Sequence, residues 1–261
     1  VDADTRVSAG SWQAAVGAAG AAVGATEALR QGQAAAAFVA VRPPGHHATP
    51  EAAMGFCLLN SVAVAAAALA AAGDRVLVVD YDAHHGNGTQ DAFYADGRVT
   101  YLSLHEWPLY PGTGSLHETG AGAGAGATVN IPLPAGATGD VYLDAVDRVI
   151  APLAARARPD WLLISAGFDA HRADPLTGLA LSAADYGPLT ARLAALVPPG
   201  RVVVLLEGGY DLAALEHSTA ATLAGLAGAT GDGRREAGGE APSGGGPGRD
   251  MVTAAAAVHD L

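Results

Sequence analysis

Short apolar runs, each stopped by glycine, proline or charge, recur along this chain with helix-forming stretches between them. That alternation restricts the fold more than any other feature. Residues 37–41, 75–80, 99–104, 161–164 and 201–206 have strand length, and 129–131 is a shorter run of the same kind. Continuous rather than alternating apolar character marks strands buried on both faces, the pattern of a mostly parallel sheet flanked by helices.

Between these runs the helices are legible. Residues 11–30 carry Val16, Val23 and Leu29 behind a candidate cap at Ser11, and 58–72 form an Ala-rich helix closed by Gly73. A short helix is expected over 89–94, one capped by Asp140 running to about Ala155, one from Ser182 to about Leu196, and one over 212–226. The glycines of 120–126 lack the spacing of a dinucleotide loop and read as a flexible surface loop. The expected organisation is a single α/β domain over 1–228, a Gly/Pro-rich flexible tail over 229–250, and a short terminal helix over 251–261.

Net charge is −12, and every basic side chain is arginine. Phosphate-backbone binding needs a basic stripe, so nucleic acid is excluded as a direct partner. The most apolar window, 62–72, is too short to span a bilayer, and the N-terminal residues lack a signal-peptide layout, so no membrane or export signal is expected. A single cysteine, Cys57, forms no internal disulfide, and a reduced cytoplasm is the expected compartment.

The reactive side chains fall just past strand ends: His46 and His47, then Asp80, Asp82 and His84, then Asp169, then Tyr210. In an open parallel sheet those ends meet at one crevice, where ligands bind. The period of two puts Asp80, Asp82 and His84 on one side, so Asp82 and His84 chelate one ion with Asp169 as third ligand. Two carboxylates, one imidazole and an open position suit catalytic Zn²⁺, and Fe²⁺ or Co²⁺ would also accept the set. Asp80 then serves to orient a histidine. One imidazole of the His46–His47 pair would move the proton, and Tyr210 would donate to a developing oxyanion, which together describe metal-assisted amide hydrolysis.

Seven motifs in order carry a family resemblance: Arg42-Pro43-Pro44-Gly45-His46-His47-Ala48, Gly55-Phe56-Cys57, Asp80-x-Asp82-x-His84-His85-Gly86-Asn87-Gly88-Thr89, Tyr110-Pro111-Gly112-Thr113-Gly114, Ser165-Ala166-Gly167-Phe168-Asp169, Asp174-Pro175-Leu176 and Glu207-Gly208-Gly209-Tyr210. The chain resembles the histone deacetylase family, in its class II-like bacterial form and including the acetylpolyamine amidohydrolases. The resemblance implies an arginase-like fold and Zn²⁺-dependent removal of acetyl from an N-acetylated amine, with Asp82, His84 and Asp169 on zinc. It also implies His47 as general base and acid, His46 paired with Asp80, and Tyr210 polarising the carbonyl.

Phe56 and Tyr110 would wall a narrow tunnel, Gly55 would accept from the substrate amide, and Leu176 and Gly208 complete the implied substrate-binding set. Backbone oxygens of Asp80, Asp82, His84 and Leu104, with Ser103, match the family's K⁺ site. Asn87 stands where class I members have Asp. Leu176 stands where polyamine-preferring relatives place an acidic residue, which favours an acetyl-lysine protein or a neutral acetylated small molecule as partner. Tyr186 and His171 read as packing or surface residues.

Family members carry a strand and a pocket-lining loop ahead of the segment matching Asp2-Ala3-Asp4-Thr5, and here that segment opens the chain. An incomplete sheet edge or pocket wall is expected, with Asp2 or Asp4 as an acidic rim residue. Two other functions fit the same residues: a binuclear Mn²⁺ ureohydrolase, disfavoured because 165–174 lacks a close Asp-x-Asp pair, and an inactive acyl-binding module.

Overall fold

The computed structural model describes residues 1–228 and 235–261. Six parallel strands form one sheet: β1 (Ala37–Val39), β2 (Val76–Asp80), β3 (Val99–Glu106), β4 (Thr128–Leu133), β5 (Trp161–Ala166) and β6 (Val202–Leu206), in the order β1-β6-β5-β2-β3-β4. The chain winds outward from β2 through β3 to β4, then returns to the other side of β2 as β5. The order therefore reverses between β2 and β5, and a crevice opens beyond their C-terminal ends.

Side chains alternate across the sheet, and both faces are covered. On one, Val76, Val78, Tyr101, Leu163 and Val203 meet α1 (Ser11–Arg30), α2 (Ser61–Ala71) and α3 (Asn87–Phe93). On the other, Leu77, Val79, Leu102, Ile164 and Val204 meet α4 (Gly139–Ala145), α5 (Ala151–Ala157), α6 (Ala183–Ala194) and α8 (Arg249–Val258). The helix α7 (Leu212–Leu226) packs on α6. Alanines at 18, 22, 65 and 66 lie buried in α1 and α2, where a small side chain lets the helices approach each other and the sheet.

Three local expectations are corrected. Ser11 is the first residue of α1 and follows Gly10, so it does not cap the helix; its Oγ accepts from the Ser8 amide at 2.8 Å. Asp140 lies in the first turn of α4, after a cap at Thr138, and pairs with Arg249 at 2.9 Å. The helix expected from 140 to 155 is interrupted by a wide π-turn over Val146–Ile150. Pro152 follows in the first turn of α5; it has no N–H to return to Arg148, and its ring would meet that carbonyl in a regular helix.

Residues 229–234 of the expected tail lie outside the described residues. The remainder, read from composition as a flexible tail, is bonded to the domain. Ser243 bonds to Asp185, the Gly246 amide donates to Thr138 Oγ1 at 2.8 Å, and Glu240 accepts from Arg172 at 2.8 Å and from the Ala183 amide at 3.2 Å. Small residues here allow close approach to the starts of α4 and α6, where unpaired helix amides need acceptors.

Candidate active site

Asp80 ends β2 and is fully buried, with every contact a donor. It accepts from His46 Nδ1 at 3.0 Å, from Tyr101 Oη at 3.2 Å and from the Asp82 amide at 3.1 Å. Two residues on, Asp82 accepts from the His84 amide at 2.9 Å and from the Gly208 amide at 2.8 Å. Asp169, beyond the end of β5, accepts from the Ala83 amide at 2.8 Å. Each carboxylate is gripped from the backbone, which fixes its orientation and turns Asp82 Oδ1 and Asp169 Oδ2 inward.

Those oxygens converge with His84. Its Nδ1 lies 2.8 Å from Asp169 Oδ2 and 3.2 Å from Asp82 Oδ1, and one donor atom from each of the three residues lies within 4.8 Å of the others. Burial, then the charge of Asp82, pushes the Asp169 carboxyl up to about 7, although His84 pulls it down. Asp82 is equally buried, yet His46 and His84 hold it below the usual carboxylate range. Burial works against a charged His84, but its bonds to Asp169 and Asp82 push it up to about 11. A proton there takes the place of a cation, so the donor set and its charge fit a divalent metal. Among the described residues no other group has this arrangement.

Glycine is required where the chain passes this cluster. A Cβ on Gly167 would strike the Asp82 carboxylate, and one on Gly208 would stand 2.5 Å from Asp169 Oδ2.

The loop after β1 delivers the two histidines, whose ring centroids are 4.0 Å apart. Their environments split them. His46 loses by burial but gains more from Asp82 and Asp80, and is pushed up to about 10. His47 donates from Nδ1 to Asn87 Oδ1 at 2.9 Å, an amide with no charge to offset burial. Burial, then the neighbouring His46, holds it well below its ordinary value. His47 is therefore neutral, with a free lone pair on Nε2.

Tyr210 follows β6 through Gly208 and Gly209. Its amide donates to Asp174 Oδ2 at 2.8 Å, while Asp174 Oδ1 accepts from the Leu176 amide at 2.9 Å, so one carboxylate positions two pocket residues. Burial, then the charges of Asp82 and Asp169, pushes the phenol well above its ordinary value and keeps it a donor.

A pocket of about 250 Å³ is lined by His47, Gly55, Phe56, His84, Tyr110, Leu176 and Tyr210, together with Asp4 and Leu109. Gly208 lies beneath it, against the carboxylates, and lines a neighbouring cavity. Asp2 fastens the near wall: it accepts from the Gly55 amide at 3.0 Å, the Thr5 amide at 2.9 Å and Tyr110 Oη at 3.3 Å. Ser103 lies opposite Asp80 across β2 and β3 and bonds to His105 Nδ1 at 2.9 Å; Leu104 is buried beside it. Tyr186 packs on Phe168 and Tyr81, and His171 lies under Glu240.

Sequence reading missed Glu207 as part of this assembly. Its Oε2 accepts from the amides of Gly45 at 2.7 Å and His46 at 3.1 Å, and its Oε1 accepts from Ser165 Oγ at 3.1 Å. It ties the histidine loop to β5 and β6. The signal was a carboxylate at the end of an apolar strand, directly before Gly208.

The histone deacetylase domain profile matches residues 1–226. The chain is 42% identical over 233 residues to a probable deacetylase of Archaeoglobus fulgidus, covering 87% of this chain and 65% of that protein. It is 47% identical over 190 residues to the chloroplastic histone deacetylase 10 of Oryza sativa subsp. japonica, covering 71% of this chain and 43% of that one. The chain thus spans under two thirds of the length of these relatives. Its fold superposes on the crystal structure of the HDA15 HD domain with a TM-score of 0.88 and 38% identity, over 99% of this chain and 72% of the other. A match over nearly the whole described chain, in sequence and in fold, makes it a member of the histone deacetylase domain family.

Proposed function

We propose that this chain is a zinc-dependent hydrolase that removes acetyl from an N-acetylated amine, with an acetyl-lysine side chain as the preferred substrate. The observation that supports it is the placement of neutral His47 and protonated Tyr210 in one pocket with His84, above a buried cluster suited to a divalent cation. Such a cation, held by Asp82, His84 and Asp169, supplies Lewis acidity that activates water and polarises the amide carbonyl.

The protein's own groups do the rest. His47 takes the proton of the attacking water at Nε2, because Nδ1 is committed to Asn87, and returns it to the leaving amine. His46, kept cationic by Asp80 and Asp82, makes a second positive charge on His47 unfavourable and so preserves it as a base. Tyr210 Oη donates to the carbonyl oxygen as charge develops there.

Phe56 and Tyr110 wall the chain of the substrate, and the Gly55 carbonyl accepts from its amide. Leu176 gives the mouth an apolar side, which suits acetyl-lysine better than an acetylated polyamine. Backbone oxygens of Asp80, Asp82, His84 and Leu104, with Ser103, hold K⁺ behind the site. No helix among the described residues is long and apolar enough to cross a membrane, and the buried, unpaired Cys57 suits a reducing compartment such as the cytoplasm.

A fluorogenic acetyl-lysine substrate on zinc-loaded protein tests the reading. His47→Ala is expected to lower kcat by about 10²–10⁴, and Tyr210→Phe by about 10²–10³. Activity that survives both substitutions overturns the mechanism.

A further inference from the structure

Beside the catalytic pocket lies a larger cavity of about 560 Å³, whose wall includes Asp4, Arg6, Ser11, Arg42 and Phe56. Asp4 and Phe56 also line the catalytic pocket, so the two hollows share a wall. Phe56 forms the partition. Its φ of 65° is a conformation that bulky residues avoid, and there its backbone N–H donates a hydrogen bond to Thr5 Oγ1 at 3.0 Å.

Positive charge is scarce in a chain with 14 arginines, no lysine and a net charge of −12. Arg30, Arg75, Arg98, Arg148, Arg172, Arg192 and Arg249 each pair with an Asp or Glu. Arg6 and Arg42 have no carboxylate partner among the described residues, and both are exposed. Arg156, Arg158, Arg201 and Arg235 also lack a carboxylate partner among the described residues, but only Arg6 and Arg42 stand together in the wall of this cavity. Carboxylates near the pocket are engaged elsewhere: Asp2 holds the Thr5 and Gly55 amides, and Asp174 those of Leu176 and Tyr210. Asp4 lines both hollows, but only the outer cavity also has two guanidinium groups in its wall, which outnumber that one carboxylate and make it the place where an anion is received.

We propose that Arg6 and Arg42 form a carboxylate-binding subsite, so that the preferred substrate carries an anionic group a short distance from its acetylated amine. This rests on the hydrolase reading of the adjoining pocket. Guanidinium forks match carboxylates in shape as well as charge. The carboxylate has two sources: an acidic side chain flanking acetyl-lysine in a peptide, or the free main-chain carboxylate of an acetylated amino acid.

Two substrate pairs separate these sources: blocked peptides with acetyl-lysine flanked by Glu or by Gln, and acetyl-lysine with a free or an amidated α-carboxylate. On zinc-loaded protein the acidic member of at least one pair is expected to have a kcat/KM about three- to tenfold higher. The ratio should fall with added salt and approach unity in the Arg6→Gln, Arg42→Gln double variant. The same pairs carrying an uncleavable methyl-ketone analogue of acetyl-lysine, followed by fluorescence anisotropy, report binding without turnover. Turnover with no acidic preference in either pair overturns the subsite and leaves the hydrolase standing. Absent turnover, a binding preference that the double variant abolishes upholds the subsite and overturns the hydrolase. A preference that survives the double substitution overturns the assignment to these arginines.

Discussion

The floor and the mouth of the pocket are built on opposite terms. At the floor Asp80, Asp82 and Asp169 are buried, and each is gripped from the backbone. At the mouth Phe56, Tyr110 and Leu176 are each more than a third exposed, and Arg42 carries no ionic partner among the described residues. A position set by several independent bonds tolerates no change. One set by a single contact does, so reaction type belongs to the floor and substrate choice to the mouth.

The sharpest way to break the contrast is at the floor. Asp169→Asn is expected to remove the metal and, with it, about 10³-fold or more of the activity; metal analysis of the purified variant should fall from about one ion per chain towards zero. Full metal content would sever the three-residue cluster from the chemistry.

A smaller effect is expected from Asn87→Asp. His47 titrates below its ordinary value, so activity is present above that pKa and lost as pH falls through it. A carboxylate in place of the Asn87 amide raises a neighbouring imidazole by about 1–3 units, which moves the acid limb of the pH–kcat/KM profile upward. An unmoved limb would mean that His47 is not the base.

Glu207 joins floor to wall, and its loss should appear as stability. Glu207→Ala leaves the buried amides of Gly45 and His46 without an acceptor and is expected to cost about 2–3 kcal/mol in denaturant unfolding. Burial pushes Glu207 up to about 7, and a carboxyl raised in the folded state is best accommodated while protonated. Its contribution is therefore most favourable below its unfolded value, near 4.5, and declines as pH rises through about 7. Glu207→Gln should abolish that part of the pH dependence. An unchanged profile would place the proton elsewhere.

The mouth should yield the smallest change. Leu176→Glu is expected to shift kcat/KM by about three- to tenfold from acetyl-lysine towards an acetylated polyamine, measured on both substrates. An unchanged ratio would remove Leu176 from substrate choice.

The same contrast governed what could be read from sequence. Strands β2, β3, β5 and β6 are buried on both faces, so they stand out as apolar runs, and the reactive groups past their ends are a local signal. The gathering of Asp82, His84 and Asp169 was legible because parallel topology forces those ends together. Bonds between distant segments were not: Glu207 with Gly45, Asp2 with Gly55, and Ser243 with Asp185 join residues more than 50 positions apart. The tail misled because glycine and serine read as disorder unless a partner surface is known. The π-turn was hidden because Val149 within it is buried together with Val141 and Leu153 on either side.

The pairing of β1 with β6 sets Val39 beside Leu205. Parallel sheets closed by such distant contacts pay loop entropy before they gain packing, and they fold slowly. On a ribosome the histidine loop emerges before Glu207, which lies 162 positions after Gly45, and before Gly208 and Tyr210. Until they arrive the Asp82, His84 and Asp169 cluster is not enclosed, and bare strand edges are open to other nascent chains. Yield of soluble protein should therefore depend on translation rate and temperature, with metal uptake a late event that marks completion of the fold.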